Sequence, residues 1–187
     1  MTRHNGNERP LTCDDAVGGR SRLGDTDYPP PVSAYQLRAV DDQNREDLLR
    51  IHLAAMSAHL VAAFGEWSQA QASEHLDGWL RTGRAQVIVV DEVIAGLLDV
   101  AWRPDAVHLV RIEIDPSFQG RGIGTRIVVD VLAEARRRGL PVRLDVFIAN
   151  PARRLYERLG FHETGRDGPS VSMEWQPVAD LRSGEAP

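Results

Sequence analysis

The sequence predicts a mixed α/β domain, and three observations carry that expectation. Apolar patterns of period two alternate with longer stretches of helical period, in the order β-α-α-β-β-β-α-β-α-β-β. Two β-branched runs, QVIVV and VIAGLLDV, are separated only by Asp91 and Glu92, which reads as a hairpin. The segment IEIDPSFQGRGIGTRIVVDVLAEARRRGL reads as strand, glycine-rich loop and helix.

Residues 1–33 are rich in Gly, Asp, Arg and Pro, show no apolar period and end in YPPP, so a disordered N-terminal extension is expected there. One domain is expected over 34–176 and a flexible tail over 177–187. YQLRAV alternates as the first strand. DDQNREDLL then sets aspartates at the N-cap and first turn of a helix, whose buried stripe is expected to be Leu49, Leu53, Met56, Leu60 and Phe64. A second helix starts at SQAQ, where Ser68 and Gln71 fit a capping box, and ends before Gly83. After the hairpin comes the strand AVHLVRIEI. The helix following the glycine loop should bury Ile123, Ile127, Val131 and Leu132 and stop at Gly139. Arg136, Arg137 and Arg138 in its last turn oppose the negative end of the helix dipole, which explains them without a nucleic acid. PVRLDVFI is a strand, NPARRLYERLGF a short helix ending in Gly160, and FHETGR with SVSMEW a closing strand pair.

Composition narrows the function. The chain of 187 residues has 22 basic and 27 acidic side chains and a net charge of −5, which argues against general binding to nucleic acid or anionic membrane. No apolar run approaches the ~18 residues that span a bilayer, and MTRHNGNERP lacks the apolar core of a signal peptide, so a cytoplasmic location is expected. The lone Cys13 allows no internal disulfide. No metal site is expected; the partners expected are a small molecule and, at most, a second copy of the chain. Every basic residue is an arginine, which excludes a Walker A loop because that loop needs lysine.

FQGRGIGT sets Gly120, Gly122 and Gly124 at alternate positions directly before a helix. Side chains are missing where the unpaired amides of the first helical turn point outward, the layout of an anion site. Glycine also allows close approach and positive φ. A dinucleotide fingerprint is the rival, with Asp145 about twenty residues on. Its third glycine, however, would fall at Thr125, and the loop follows a hairpin instead of opening a βαβ unit.

QGRGIG resembles the Gln/Arg-x-x-Gly-x-Gly/Ala signature of the GNAT superfamily of N-acetyltransferases, with Gln119, Gly122 and Gly124 at the signature positions. NPARRLYERLGF is similar to the family's second block, with Asn150, Ala152, Tyr156, Gly160 and Phe161 in its places. The asparagine-to-tyrosine interval is six residues, where many members have seven. The resemblance spans roughly residues 35–175. It implies a mostly antiparallel twisted sheet, helices on both faces and a V-shaped cleft between the two central strands. It also implies acetyl-coenzyme A as cosubstrate, held by Ile112 and Ile114 of the strand, by Gln119, Gly120, Arg121, Gly122, Ile123, Gly124 and Thr125 of the loop, and by Asn150 and Arg153.

Transfer from a thioester to an amine needs a neutral amine, and an alkylamine of pKa ~10.4 is mostly protonated at neutral pH, so a base helps. Glu113, on the face opposite Val110, Ile112 and Ile114, and Asp145, where related protein N-terminal acetyltransferases carry a carboxylate, are the candidates. Each has a structural alternative, an ion pair with Arg111 or Arg143 respectively. His108 is a third candidate, expected to share the Val110 and Ile112 face. Tyr156 matches the family tyrosine that protonates the departing thiolate, the alternative being packing beside Leu155 and Leu159. His59, Phe64, Glu66, Trp67 and Trp79 either line the acceptor pocket or belong to the core. The function expected is acetylation of a small-molecule primary amine by direct transfer in a ternary complex. Acetylation of a protein N-terminus or lysine, and a coenzyme A-binding module without turnover, are the alternatives.

Overall fold

The computed structural model describes residues 34–177, so the extension expected over 1–33 and nearly all of the tail expected over 177–187 lie outside the described residues. Strands β1 (Tyr35–Ala39), β2 (Gln86–Val90), β3 (Val93–Trp102), β4 (Val107–Ile114), β5 (Val142–Phe147), β6 (His162–Asp167) and β7 (Ser170–Trp175) form one sheet in the order β1-β2-β3-β4-β5-β7-β6. Every neighbouring pair is antiparallel except β4 and β5. Parallel neighbours need a crossover, which helix α3 (Ile123–Arg138) supplies.

Helices cover both faces. Ile88 and Val90 pack with Ile127 and Val131 of α3 on one side, and their alternates Val87 and Val89 pack with Leu48 of α1 (Arg45–Phe64) and Leu76 of α2 (Gln69–Leu80) on the other. β2 is therefore a continuous apolar run, because neither of its faces meets water. The short helix α4 (Ala152–Arg158) joins α3's side, sending Tyr156 into the same core.

Local chemistry sets the ends of these elements as expected. Asp41 and Asn44 cap each other across one 3-10 turn before α1, and Ser68 and Gln71 do the same for α2. In the β2–β3 hairpin, Asp91 and Glu92 both take positive φ, 49° and 60°, as a type I′ turn requires. All three arginines of the last turn of α3 stand where the dipole favours them.

Two expectations fail. The buried residues of α1 are Leu48, Ile51, His52 and Leu60, whereas Phe64 is 62% exposed. Apolar residues surround α1 almost completely, so periodicity alone left its phase undetermined and packing on α2, β3 and β4 sets it. In β4, the pairing shifts so that Asp99 faces Arg111 while Val100 faces Leu109, leaving Val110 as an exposed bulge. The bulge moves His108 off the Ile112 face: it pairs with Ala101 and shares the side of Arg111 and Glu113.

β4 and β5 pair only at Val107–Val142 and His108–Arg143. Beyond those positions the two strands diverge, which opens a V-shaped cleft and leaves the rest of β4 without a ladder partner on that edge.

Candidate active site

The glycine loop closes the wide end of the cleft. Asp115 directly follows β4 and accepts from the amide and hydroxyl of Ser117 at 2.8 and 2.6 Å, and Arg50 of α1 meets its other oxygen at 2.6 Å. The Ser117 hydroxyl, then Arg50, hold its carboxyl below the usual carboxylate range. Gln119 donates its side-chain amide to the Ile114 carbonyl at 2.9 Å, so this side chain staples the loop to β4. Arg121 likewise turns back onto the Ser117 carbonyl at 2.8 Å.

Gly120 and Gly122 have φ of 72° and 77°, which L side chains adopt only at a cost. The turn they make leaves the main-chain amides of residues 120–125 without an acceptor among the described residues, while Arg126 donates back to the Gly122 carbonyl at 2.9 Å. Donors gathered at the positive end of a long helix suit a pyrophosphate. Ile123 contributes only its amide, because its side chain is buried. Gly124 is helical, and a Cβ there would meet nothing closer than Ile114 at 3.8 Å, so its lack of a side chain is not needed for folding.

The second block lies along β5. The Asn150 side-chain oxygen accepts from the Ala152 amide at 2.9 Å, which starts α4 and leaves the side-chain NH2 without a described acceptor. Arg153 is taken up by Glu157 and Glu163, at 2.8 and 3.2 Å. Tyr156 is 6% exposed, packs edge-on against Phe161 and donates to no described group; burial pushes its phenol up to about 12.

The two carboxylates are in opposite settings. Asp145 is exposed on β5, accepts from the Ser172 hydroxyl at 2.6 Å and faces away from the buried Leu144 and Val146. Phe147 shares its side and touches Phe64 of α1 at 5.9 Å between ring centroids, so Asp145 opens toward the helix expected to meet the acceptor. Glu113 is enclosed beneath α1, bound by Arg111 at 2.6 Å and by His52 Nδ1 at 3.0 and 3.1 Å. Burial alone would raise this carboxyl, but the His52 hydrogen bond and the Arg111 charge outweigh it and hold it below the usual range. The geometry therefore removes Glu113 from direct contact with an acceptor.

Sequence reasoning missed the group around Glu113. Trp79 stacks under the Arg111 guanidinium at 3.2 Å and meets the His52 ring edge-on at 4.7 Å; Trp67 lies 6.4 Å from that ring. Among the described residues His52 Nε2, Trp67 Nε1 and Arg111 Nε are buried without a partner. One signal was available: His52 interrupts the apolar run of α1 beside Ile51. His59 and Glu66 make no polar contact with the described residues, and Phe64 lies at the far end of α1 against Phe147.

The acetyltransferase (GNAT) family matches residues 48–161, more than half of the chain. The chain belongs to that family. It is 31% identical over 145 residues to a mycothiol acetyltransferase of Rhodococcus erythropolis, covering 71% of this chain and 47% of that protein, so it spans about half the length of this relative. It is 29% identical over 119 residues to a [ribosomal protein bS18]-alanine N-acetyltransferase of Haemophilus influenzae, covering 63% and 76% of the two chains. A ribosomal L7/L12 alpha-N-protein acetyltransferase solved with coenzyme A superposes with a TM-score of 0.58 at 25% identity, covering 80% of this chain and 98% of that one. In the GNAT domain, the splayed strands and the glycine loop are thus the acetyltransferase frame, and the acceptor is what the relatives leave divided between a small molecule and ribosomal proteins.

Proposed function

We propose that this protein is an acetyl-coenzyme A-dependent N-acetyltransferase that transfers acetyl directly to a primary amine of a small molecule in a ternary complex. The observation that carries the reading is the row of unpartnered amides over residues 120–125, at the N-terminus of α3 and the open end of the β4–β5 splay. Amides and helix dipole hold the pyrophosphate without lysine, and the pantetheine follows the free edge of β4 toward the bulge at Val110. A main-chain amide on that edge takes the oxyanion. Asp145 meets the acceptor's ammonium group, and Tyr156 supplies a proton to the departing thiolate. Likeness to the Rhodococcus mycothiol acetyltransferase favours the small acceptor.

Acetylation of a protein N-terminus is the second reading, favoured by the Haemophilus relative and by the solved ribosomal L7/L12 acetyltransferase. Calorimetry with acetyl-coenzyme A, followed by thiol release with polyamines, amino acids, aminoglycosides and short peptides, separates the possibilities. Turnover with a small amine supports the first reading and turnover with peptides alone the second. Binding without thiol release would leave a coenzyme A-binding module.

A further inference from the structure

The group beneath α1 is costly as a purely structural feature. A buried polar atom without a partner costs ~1–3 kcal/mol, and this group holds three among the described residues, on His52, Trp67 and Arg111. The Arg111 guanidinium already balances the Glu113 charge, so His52 is not needed for neutralisation. An ionised carboxylate only accepts, so the hydrogen bond at 3.0 Å puts the proton on Nδ1 and, in the neutral ring, a bare lone pair on Nε2. A carboxylate orienting an imidazole whose other nitrogen is free is the arrangement of a general base.

We infer that His52 is the general base of the transfer and that Glu113 is its positioning residue, an assignment that rests on the N-acetyltransferase reading above. Nε2 takes a proton from the acceptor nitrogen as the lone pair of that nitrogen attacks the thioester carbonyl. The C–N bond forms, the C–S bond breaks, and the thiolate receives its proton from Tyr156 or solvent. His52 is 1% exposed, so the acceptor must displace its cover. On this assignment the side chain that moves is Trp67, edge-on to His52 at 6.4 Å and to His75 at 4.8 Å between ring centroids: it lies two residues after Gly65, which has φ 88°, and its indole N–H has no partner among the described residues, so turning it outward breaks no hydrogen bond. The charged and titratable groups around the ring are Glu113 and Arg111 from β4, the Asp99–Arg84 pair beside Arg111 from the β3 side, and His75 of α2 behind Trp67 and Trp79.

The test takes whichever of spermidine, alaninamide and kanamycin the wild-type protein acetylates and follows kcat/KM against pH. His52→Gln should lower the plateau roughly 100-fold and abolish the acidic limb, with acetyl-coenzyme A affinity unchanged. Glu113→Gln should lower the plateau less, about 10-fold, because the imidazole stays in place but loses the carboxylate that orients it. Nitrogen-15 histidine spectra of the wild-type protein give a second reading that needs no variant. His52 should carry its proton on Nδ1 across the active pH range, and the Nε2 resonance should move when that amine is added with coenzyme A. An unaltered acidic limb in His52→Gln, or an Nε2 resonance indifferent to the amine, overturns the assignment while leaving the acetyltransferase reading intact. Absence of thiol release by the wild-type protein with the whole panel of polyamines, amino acids, aminoglycosides and short peptides overturns the reading itself.

Discussion

Replacing Tyr156 by Phe removes one oxygen and keeps the ring against Phe161, so it separates chemistry from packing. The hydroxyl donates to no described group, and stability at pH 8 should change by less than about 1 kcal/mol. At alkaline pH the two proteins should part. The wild-type phenol ionises near 10 when unfolded and at about 12 when folded, so above pH 10 the unfolded state holds fewer protons and stability falls as pH rises. Two units correspond to roughly 3 kcal/mol lost by pH 12, a slope the variant should lack in urea melts from pH 8 to 11. For catalysis, a phenol at about 12 donates uphill to a thiolate whose acid has pKa ~8.5, by roughly 5 kcal/mol if the steps are separate. Donation must therefore be coupled to C–S cleavage. The kcat of Tyr156→Phe should fall roughly 10- to 1000-fold, and the loss should shrink with a coenzyme analogue whose leaving thiol is more acidic. An undiminished kcat, with chemistry rate-limiting, would refute the donor role and leave Tyr156 as packing.

Gly122→Val forces a β-branched residue to φ 77° in the middle of the amide row, and the Kd for acetyl-coenzyme A should rise at least tenfold, about 1.4 kcal/mol, by calorimetry. Unchanged affinity would remove the phosphate assignment. Gly96→Ala puts a Cβ 2.2 Å from the Glu113 carbonyl oxygen, where β3 and β4 approach too closely for any side chain, and should cost roughly 3 kcal/mol, or ~6–12 °C in Tm. An unshifted melting curve would show that the two strands are not so close. Asp145→Asn should raise KM for the amine about tenfold with kcat and acetyl-coenzyme A binding little changed, since an exposed carboxylate attracts the ammonium without taking part in the transfer. A fall in kcat at constant KM would instead make Asp145 the base.

The parts of the fold that depend on neighbouring residues were legible in the sequence. The capping pair Ser68 and Gln71, the two-residue hairpin turn and the glycine loop each follow from chemistry within a few residues. The parts that depend on tertiary packing were not. Nothing in LRIHLAAMSAHL distinguishes the side that buries Ile51 and His52 from the side carrying Leu49 and Leu53. A β-bulge leaves no mark in VHLVRIEI, yet it decides which side His108 takes. For the site, Glu113 and Asp145 read alike as carboxylates on alternating strands. Only the position of α1, over one and not the other, encloses the first and leaves the second open.

That position of α1 links the two halves of the site. Glu113 and Asp115 project from the last turn of chain before the glycine loop, and they bind His52 and Arg50, which are likewise two residues apart on α1. The helix on the acceptor side is thereby fastened to the strand that ends in the cofactor loop at two successive points. Asp115 also caps the turn that presents the loop, through Ser117. A shift of α1 on acceptor binding must then disturb either the Arg50–Asp115 pair or the His52–Glu113 bond, and the first of these reaches the amides of residues 120–125 within a few residues of chain. On the proposed function, this double attachment predicts coupling between amine and acetyl-coenzyme A binding. By linkage it is reciprocal, so each should change the other's affinity by the same factor. Breaking the outer tie with Arg50→Ala, which leaves His52 and Glu113 untouched, should reduce that factor in paired calorimetric titrations.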